Sequence, residues 1–386
     1  MLPDVQTTVG VHFERAAELP PDRLSRSSPT PDCCQARTRA QDGQKLSAPL
    51  HTAVVTSIQS PTVSLRALAH AASHAGMGLV VIGDRKSPSQ FALEGARFWP
   101  IAEQQRLDFD LVRRLPENHY ARKNVGYLLA LRAGAGAIFD TDDDNAPLAS
   151  WRTREEWVNA FGVSACGWIN AYAYFTAAHI WPRGLPLDCI GAARPRNAAR
   201  GDSISTQAPV QQALVNGSPD VDAIWRLVMD REFTFDSGDS IRLNPGAWCP
   251  FNSQSTWWFP AAFPLLYLPS HVSFRMTDIW RSFVAQRCLW ELGFGVVFHG
   301  PEMFQDRNAH NLVRDFEQEV PGYLGNTRIC EILERTPLRG GKSETGANLH
   351  RCYEALVGAG FVPASEVTML EAWLSDLHSV CRGHPY

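Results

Sequence analysis

No stretch of 18 or more apolar residues occurs in the 386-residue chain, and the most apolar window, 259–272, is broken by three prolines. A membrane-crossing helix needs about 20 such residues, so no transmembrane segment is expected. The first residues offer no apolar signal core either, because Asp4, Glu14, Arg15 and Glu18 interrupt it. The expectation is a cytoplasmic protein, membrane-associated only through partners. Nine cysteines are present but no Cys-x-x-Cys pair, which leaves a zinc knuckle or a disulfide framework without support. Seven of them sit singly among apolar residues and read as reduced core cysteines. Runs of lysine and arginine are missing as well. With 36 Lys+Arg against 40 Asp+Glu the net charge is −4, which argues against nucleic acid as a partner. No internal repeat is evident.

What is present is core-forming material: 45% hydrophobic residues, with 12 Trp and 19 Phe. That excludes wholesale disorder. Residues 1–48, rich in Pro and Ser with little hydrophobic period, read as a disordered leader. Order begins near Thr52. The β-branched run 53–58 predicts a buried strand, and Leu65, Leu68, Ala69 and Ala72 share one face of a helix stopped near Gly76. A second strand over 78–84 ends in Asp84. Strand, helix, strand opens a right-handed βαβ unit.

A short strand near 97–101 and a helix over 120–133 follow, the latter with Val125, Leu128 and Leu129 on its apolar face. The strand Ala137-Ile138-Phe139 then runs into Asp140-Thr141-Asp142-Asp143-Asp144. Four carboxylates in five residues repel one another unless a cation neutralises them. At the carboxyl end of a strand they fit Mg²⁺ or Mn²⁺ holding a diphosphate; the bland alternative is a solvated acidic turn. Further on, a helix over 277–292, a strand over 295–298 ending at His299, and helices after Pro321 are predicted. The expected organisation is therefore the leader 1–48, an α/β domain over 49–320 and a small helical C-terminal extension over 321–386.

Several blocks together resemble the STELLO-type glycosyltransferase domain: Asn118–Leu128 followed by Ala137–Asp143, His179–Leu187, Asn216–Asp222, and Trp280–Gly293 with Gln286-Arg287-Cys288-Leu289-Trp290-Glu291 at its centre. A weaker likeness links them to the reversibly glycosylated polypeptides, which act as UDP-arabinopyranose mutases. The resemblance covers about 52–304. It implies a GT-A-like, Rossmann-like fold binding a nucleoside-diphosphate sugar donor, most readily UDP-linked, with Mn²⁺ or Mg²⁺. Transfer to an unknown glycan or small-molecule acceptor hydroxyl is the implied reaction. The mutase-like pattern puts the aspartate triplet on Asp142, Asp143 and Asp144, whereas the STELLO-type pattern emphasises Asp140, Asp142 and Asp143; Asp142 is common to both. STELLO-type proteins carry a membrane anchor that is not seen here, and they are associated with cellulose synthesis. Two rival readings therefore stand beside the transferase: a nucleotide-sugar mutase, and a non-catalytic partner in glycan synthesis.

The remaining candidates each have a bland counterpart. Arg122 and Lys123 open the helix before the acidic strand and can meet phosphate or pair with the aspartates. Asp84 can accept from a base or ribose, or simply end a strand. Arg183-Gly184 lies in a Trp-Pro-Arg-Gly-Leu-Pro loop; the mutase-like family has an arginine linked to glycosylation at the matching place, and glycine lets backbone approach a ligand. Asp220 and Asp222 share a face if extended, placing them toward the sugar or behind the metal, while Pro-Asp also begins turns. Asp278 starts a helix, as a capping residue would, and both resembling families place an acid near this point, which makes it the candidate general base. GT-A enzymes often recruit a late histidine as a metal ligand, which singles out His299. Trp248, Phe251, Trp257, Trp258 and Phe259 read mostly as core, with one of the adjacent tryptophans expected to be more exposed or to line a cleft.

Overall fold

β-Branched and apolar runs form the first strands of the computed structural model, which describes residues 51–191, 200–229, 231–307 and 311–381. The leader expected over 1–48 lies outside the described residues. Strand β1 (His51–Thr56) leads into helix α1 (Val63–His74), whose N-cap Thr62 accepts from the Leu65 amide at 3.0 Å. Strands β2 (Gly78–Ile82) and β3 (Arg97–Trp99) follow, then the short helices α2 (Ile101–Gln104) and α3 (Asp110–Arg114). A 3₁₀ turn over Tyr120–Arg122 runs into α4 (Lys123–Arg132), and β4 (Ala137–Asp140) and β5 (Asn145–Pro147) flank the acidic run.

The middle of the chain supplies β6 (Trp157–Val163), β7 (Gly167–Trp168), β8 (Arg200–Gln207), β9 (Val210–Gly217), α5 (Ala223–Met229), β10 (Ile241–Leu243), β11 (Ala247–Trp248) and β12 (Thr256–Trp258). Then come α6 (Thr277–Trp290), β13 (Val296–Gln305), α7 (Leu312–Arg335), α8 (Thr345–Gly358) and α9 (Ser365–Val380). Strand order in the main sheet is β3-β2-β1-β4-β12-β9-β13-β10-β6-β8, with β5 paired to β13; β7 and β11 form a separate pair.

The strand β1 is parallel to both β2 and β4, so the chain winds outward through β2 and β3 and then returns to the other side of β1. That reversal is the switch point at which a doubly wound sheet opens a crevice. Since β12 is antiparallel to both β4 and β9, and β13 is parallel to β9, the strands β1, β2, β4, β9 and β13 all point the same way. Their carboxyl ends therefore lie along one edge. This is an α/β, GT-A-like arrangement of Rossmann type with C-terminal helices.

Alternate residues of the strands face two layers. Ala53, Val55 and Phe139 pack with Leu65 and Leu68 of α1, while Val54 and Ile138 pack into the core that holds Val125 and Leu128 of α4 and the apolar faces of α6, α8 and α9. Both faces of the central strands are covered, which corrects the expectation for the paired tryptophans. Trp257 faces the α1 layer and Trp258 the α4 layer, and both are 0% exposed. Trp248, Phe251 and Phe259 are core too. The expected strand 295–298 is longer, because β13 continues to Gln305 through irregular pairing with β9 between His299 and Met303. His299 thus lies inside a strand rather than at its end. Position 321 falls inside α7. Cys249, Cys288, Cys330 and Cys352 are buried and free, whereas Cys166 is an exposed thiol, contrary to the core reading.

Candidate functional site

The shared edge of the sheet opens into a cavity of about 570 Å³, within the range that encloses a small ligand. Its lining follows the carboxyl ends of five strands: 56–59 after β1, 82–86 after β2, 142–144 after β4, 219–221 after β9, and Gln305 and Arg307 at the end of β13. The 118–122 turn and the start of α6 close it.

On the β1/β2 side the turn before α4 is held by Asp84. Its carboxylate accepts from the backbone amides of Arg85 (2.7 Å), Asn118 (2.7 Å) and His119 (3.0 Å), and Asn118 takes a left-handed φ of 53° there. Asp84 lines the cavity, but its oxygens already fix the loop that carries His119 and Tyr120. Arg122 also lines it, yet its guanidinium is spent on the Gln104 side-chain carbonyl (2.6 and 2.9 Å) and the Leu115 carbonyl oxygen. Lys123 and Asp140 lie behind the wall. The Lys123 ammonium reaches Asp140 at 2.7 Å and Asp142 at 3.0 Å, and Asp140 is also paired with Arg281 at 3.0 Å. Burial disfavours the lysine charge, but the two aspartates overcome it and raise its pKa.

The acidic turn itself is latched to β1. The Ser57 hydroxyl donates to the Asp143 carboxylate at 2.6 Å and the Thr62 hydroxyl to the Asp143 carbonyl oxygen. The Asp142 carboxylate accepts from the Tyr120 hydroxyl at 2.8 Å, keeps 28% of its side chain exposed, and faces the cavity. The Asp144 carboxylate accepts from the Gln305 amide at 2.9 Å. Desolvation raises all three carboxyls, with like charge from Asp140 on Asp142 and from Asp142 on its two neighbours; Asp144 is pushed up to about 7. Negative charge is thus incompletely compensated at this wall.

Opposite stands a buried chain of charge. Arg183 forks onto Asp220 (2.7 and 2.8 Å) and reaches Asp278 at 2.9 Å. Burial would raise the Asp278 pKa, but Arg183 holds it below the ordinary carboxylate range. Gly184 needs its positive φ of 93°, and a Cβ there would meet Ile279 at 2.5 Å. Its bareness serves close packing on α6 rather than approach to a ligand, which corrects that expectation. Asp222 is turned away from the cavity: it caps α5 through the Trp225 amide (2.8 Å) and accepts from the Trp181 indole (2.6 Å), with burial pushing it up to about 6.

His299 is not brought to the acidic run. Its ring nitrogens bond Ser240 (2.6 Å) and Gln211 (3.0 Å) in the interior, and burial beside Arg154 and Arg152 pushes its pKa well down. The sequence had marked it as ending a strand, and the added length of β13 removes that placement. The structure therefore gathers Asp84, Arg122, Asp142, Asp143, Asp144, Arg183, Asp220 and Asp278 around one cavity, and leaves Lys123, Asp140, Asp222 and His299 outside its lining.

Residues that motif reading had not marked also line it. Phe274 is half exposed at the mouth, edge-on to His119 and Tyr120. Gln254 and Gln305 bond each other at 2.9 Å, and Arg226 and Arg307 line the cavity too. Single polar residues beyond strand ends carry no local pattern; only the topology brings them together.

Among the described residues no group of three or more His, Cys, Asp or Glu side chains is placed to hold a metal ion. The donor set is nonetheless of the oxygen type that suits Mg²⁺ or Mn²⁺. Such ions are commonly held by one or two carboxylates with the rest supplied by phosphate and water. The raised pKa values of the acidic turn fit a wall that a cation would relieve.

The family model of the STELLO glycosyltransferases matches residues 275–385, the stretch from the start of α6 to beyond α9. Over that stretch the chain is similar to the STELLO glycosyltransferases. Two proteins of Arabidopsis thaliana carry the likeness across the sheet as well: "Probable glycosyltransferase STELLO2", 28% identical, and "Probable glycosyltransferase STELLO1", 27% identical. Each alignment takes in 86% of this chain and 45% of the relative, so the chain spans about half the length of these curated relatives. No helix among the described residues is long and apolar enough to cross a membrane.

Proposed function

We propose that the chain is a divalent-metal-dependent glycosyltransferase that moves a sugar from a nucleoside diphosphate, UDP in the first instance, to an acceptor hydroxyl. The observation that carries this reading is the cavity at the switch point between β1 and β4, with Asp142, Asp143 and Asp144 forming one wall of it. The nucleoside lies over the ends of β1 and β2, where ligands of doubly wound sheets bind. Asp142 would hold the metal, with Asp144 as a second oxygen donor. The ion would supply neutralisation of the leaving diphosphate. Tyr120 and Lys123 orient the Asp142 carboxylate from behind.

Asp278 is the base of this proposal. Held ionised by Arg183, it accepts the proton of an acceptor hydroxyl only as Arg183 shifts its fork toward Asp220, with which it makes two further bonds. A panel of UDP, GDP, CDP and dTDP, with and without Mn²⁺, tests the donor site by thermal shift. The expected result is a metal-dependent rise for one nucleotide that Asp142→Ala abolishes. Absence of any rise for the wild type would sink the transferase and leave a non-catalytic partner as the better account.

A further inference from the structure

The lining of the cavity includes three arginines that the donor reading does not use. Arg226 comes from α5, Arg275 from the turn before α6, and Arg307 from just beyond β13. Arg275 pairs with Glu319 at 2.8 Å and Arg307 with Asp315 at 2.8 Å. Arg226 is 5% exposed, and its hydrogen bonds go to the carbonyl oxygens of Pro219 (2.6 Å) and Arg231 (3.4 Å), with the Trp225 ring 5.4 Å from its guanidinium carbon. Among the described residues no carboxylate forms an ion pair with it. A buried guanidinium without a counter-charge is expensive. Desolvation, with repulsion from Arg307 and Arg275, pulls it down to about 10, and Arg307 is lowered by burial and by Arg275. Asp220, which also lines the cavity, is already forked by Arg183.

Three planar forks from three elements around one hollow match the oxygens of a phosphate group. Arg307 adjoins the acidic turn, since the Asp306 amide donates to the Asp144 carbonyl oxygen at 3.2 Å, whereas Arg275 stands beside Asp278, with Arg183 donating both to the Arg275 carbonyl oxygen and to the Asp278 carboxylate. We propose that Arg226, Arg275 and Arg307 form a metal-independent phosphate subsite for the acceptor, so that the acceptor is a phosphate monoester presenting its hydroxyl toward Asp278. This rests on the transferase reading for the word acceptor, but the phosphate subsite stands or falls by itself.

The test is titration calorimetry of the full chain in EDTA. Inorganic phosphate and a hexose 6-phosphate form one arm. Phosphatidic acid vesicles, against phosphatidylcholine vesicles, form the other. Saturable binding is expected, weakened about tenfold or more by Arg226→Gln. The more exposed Arg307→Gln is the second variant should the first fail to fold. Binding of the hexose phosphate assigns a soluble acceptor, and binding of the acidic vesicles alone assigns a lipid-borne one. Mn²⁺-dependent nucleotide binding, measured on the same variants, is expected to hold within about twofold. No saturable phosphate binding by the wild type, or none lost in both variants, overturns the subsite. Loss of nucleotide binding by the same factor overturns its assignment to the acceptor. Phosphate binding without any nucleotide binding keeps the subsite while removing the transferase reading.

Discussion

Lys123 shows how a single side chain can belong to a site without lining it. Its buried ammonium donates to Asp142, the Tyr120 hydroxyl and the Thr141 carbonyl oxygen and forms an ion pair with the buried Asp140. Replacing it by methionine keeps most of the volume and strips Asp142 of its cation, while Asp140 retains Arg281. Breaking a buried pair in this way costs about 3–5 kcal/mol, and the retained arginine places Lys123→Met at the lower end. Urea denaturation read by tryptophan fluorescence measures it, and a loss below about 1 kcal/mol would show that the network does not hold the acidic turn. The same network explains how far the sequence could be read here. Arg122 and Lys123 were legible as cations beside an acidic strand, with pairing to the aspartates as one option. Lys123 takes that option, but Arg122 turns to Gln104 and Leu115, partners that no local spacing announces.

Elements carry the fold through close approaches. Helix α4 lies against β1 and β2 at Gly126, where a Cβ would meet Val54 at 2.5 Å and Ile82 at 2.9 Å. Gly126→Ala improves helix propensity by about 1 kcal/mol but pushes α4 off the sheet, and overpacking of this kind costs about 1–3 kcal/mol. The expected net outcome is destabilisation, with weaker nucleotide binding because α4 carries Lys123 under the acidic turn. A variant more stable than wild type in the same denaturation assay would refute the close-packing account. The βαβ opening, α4, β4 and α6 were legible from their apolar runs and turn signals, although α4 over 123–131 and α6 over 277–289 are buried on every side rather than on one face. The ends of β13 and the placement of Trp257 and Trp258 were not. Both depend on neighbours remote in sequence: β9 for the length of β13, and two covering layers for the paired indoles.

The C-terminal helices tie these elements together and lie within the stretch that matches the STELLO family model. Asp376 on α9 accepts from the amides of Asp110 and Leu111 at the start of α3, some 265 residues earlier. Glu366 accepts from the amides of Ser270 and His271 and from the Tyr267 hydroxyl, in the segment that leads into Phe274, Arg275 and Asp278. Leu349, Tyr353, Leu356, Met369, Leu370, Trp373 and Leu377 are buried in the same core as Val125 and Leu128 of α4. At about 1.5 kcal/mol or more each, these seven side chains contribute about 10 kcal/mol, comparable with the whole stability of a domain, about 5–15 kcal/mol. The helices are therefore not an appendage that can be trimmed. A chain ending before Thr345 is expected to lose the sharp near-ultraviolet circular dichroism of packed aromatics and to melt without a cooperative transition. A truncated chain that still unfolds cooperatively and binds nucleotide would show instead that the sheet and α6 close the site by themselves, with α8 and α9 serving some other surface.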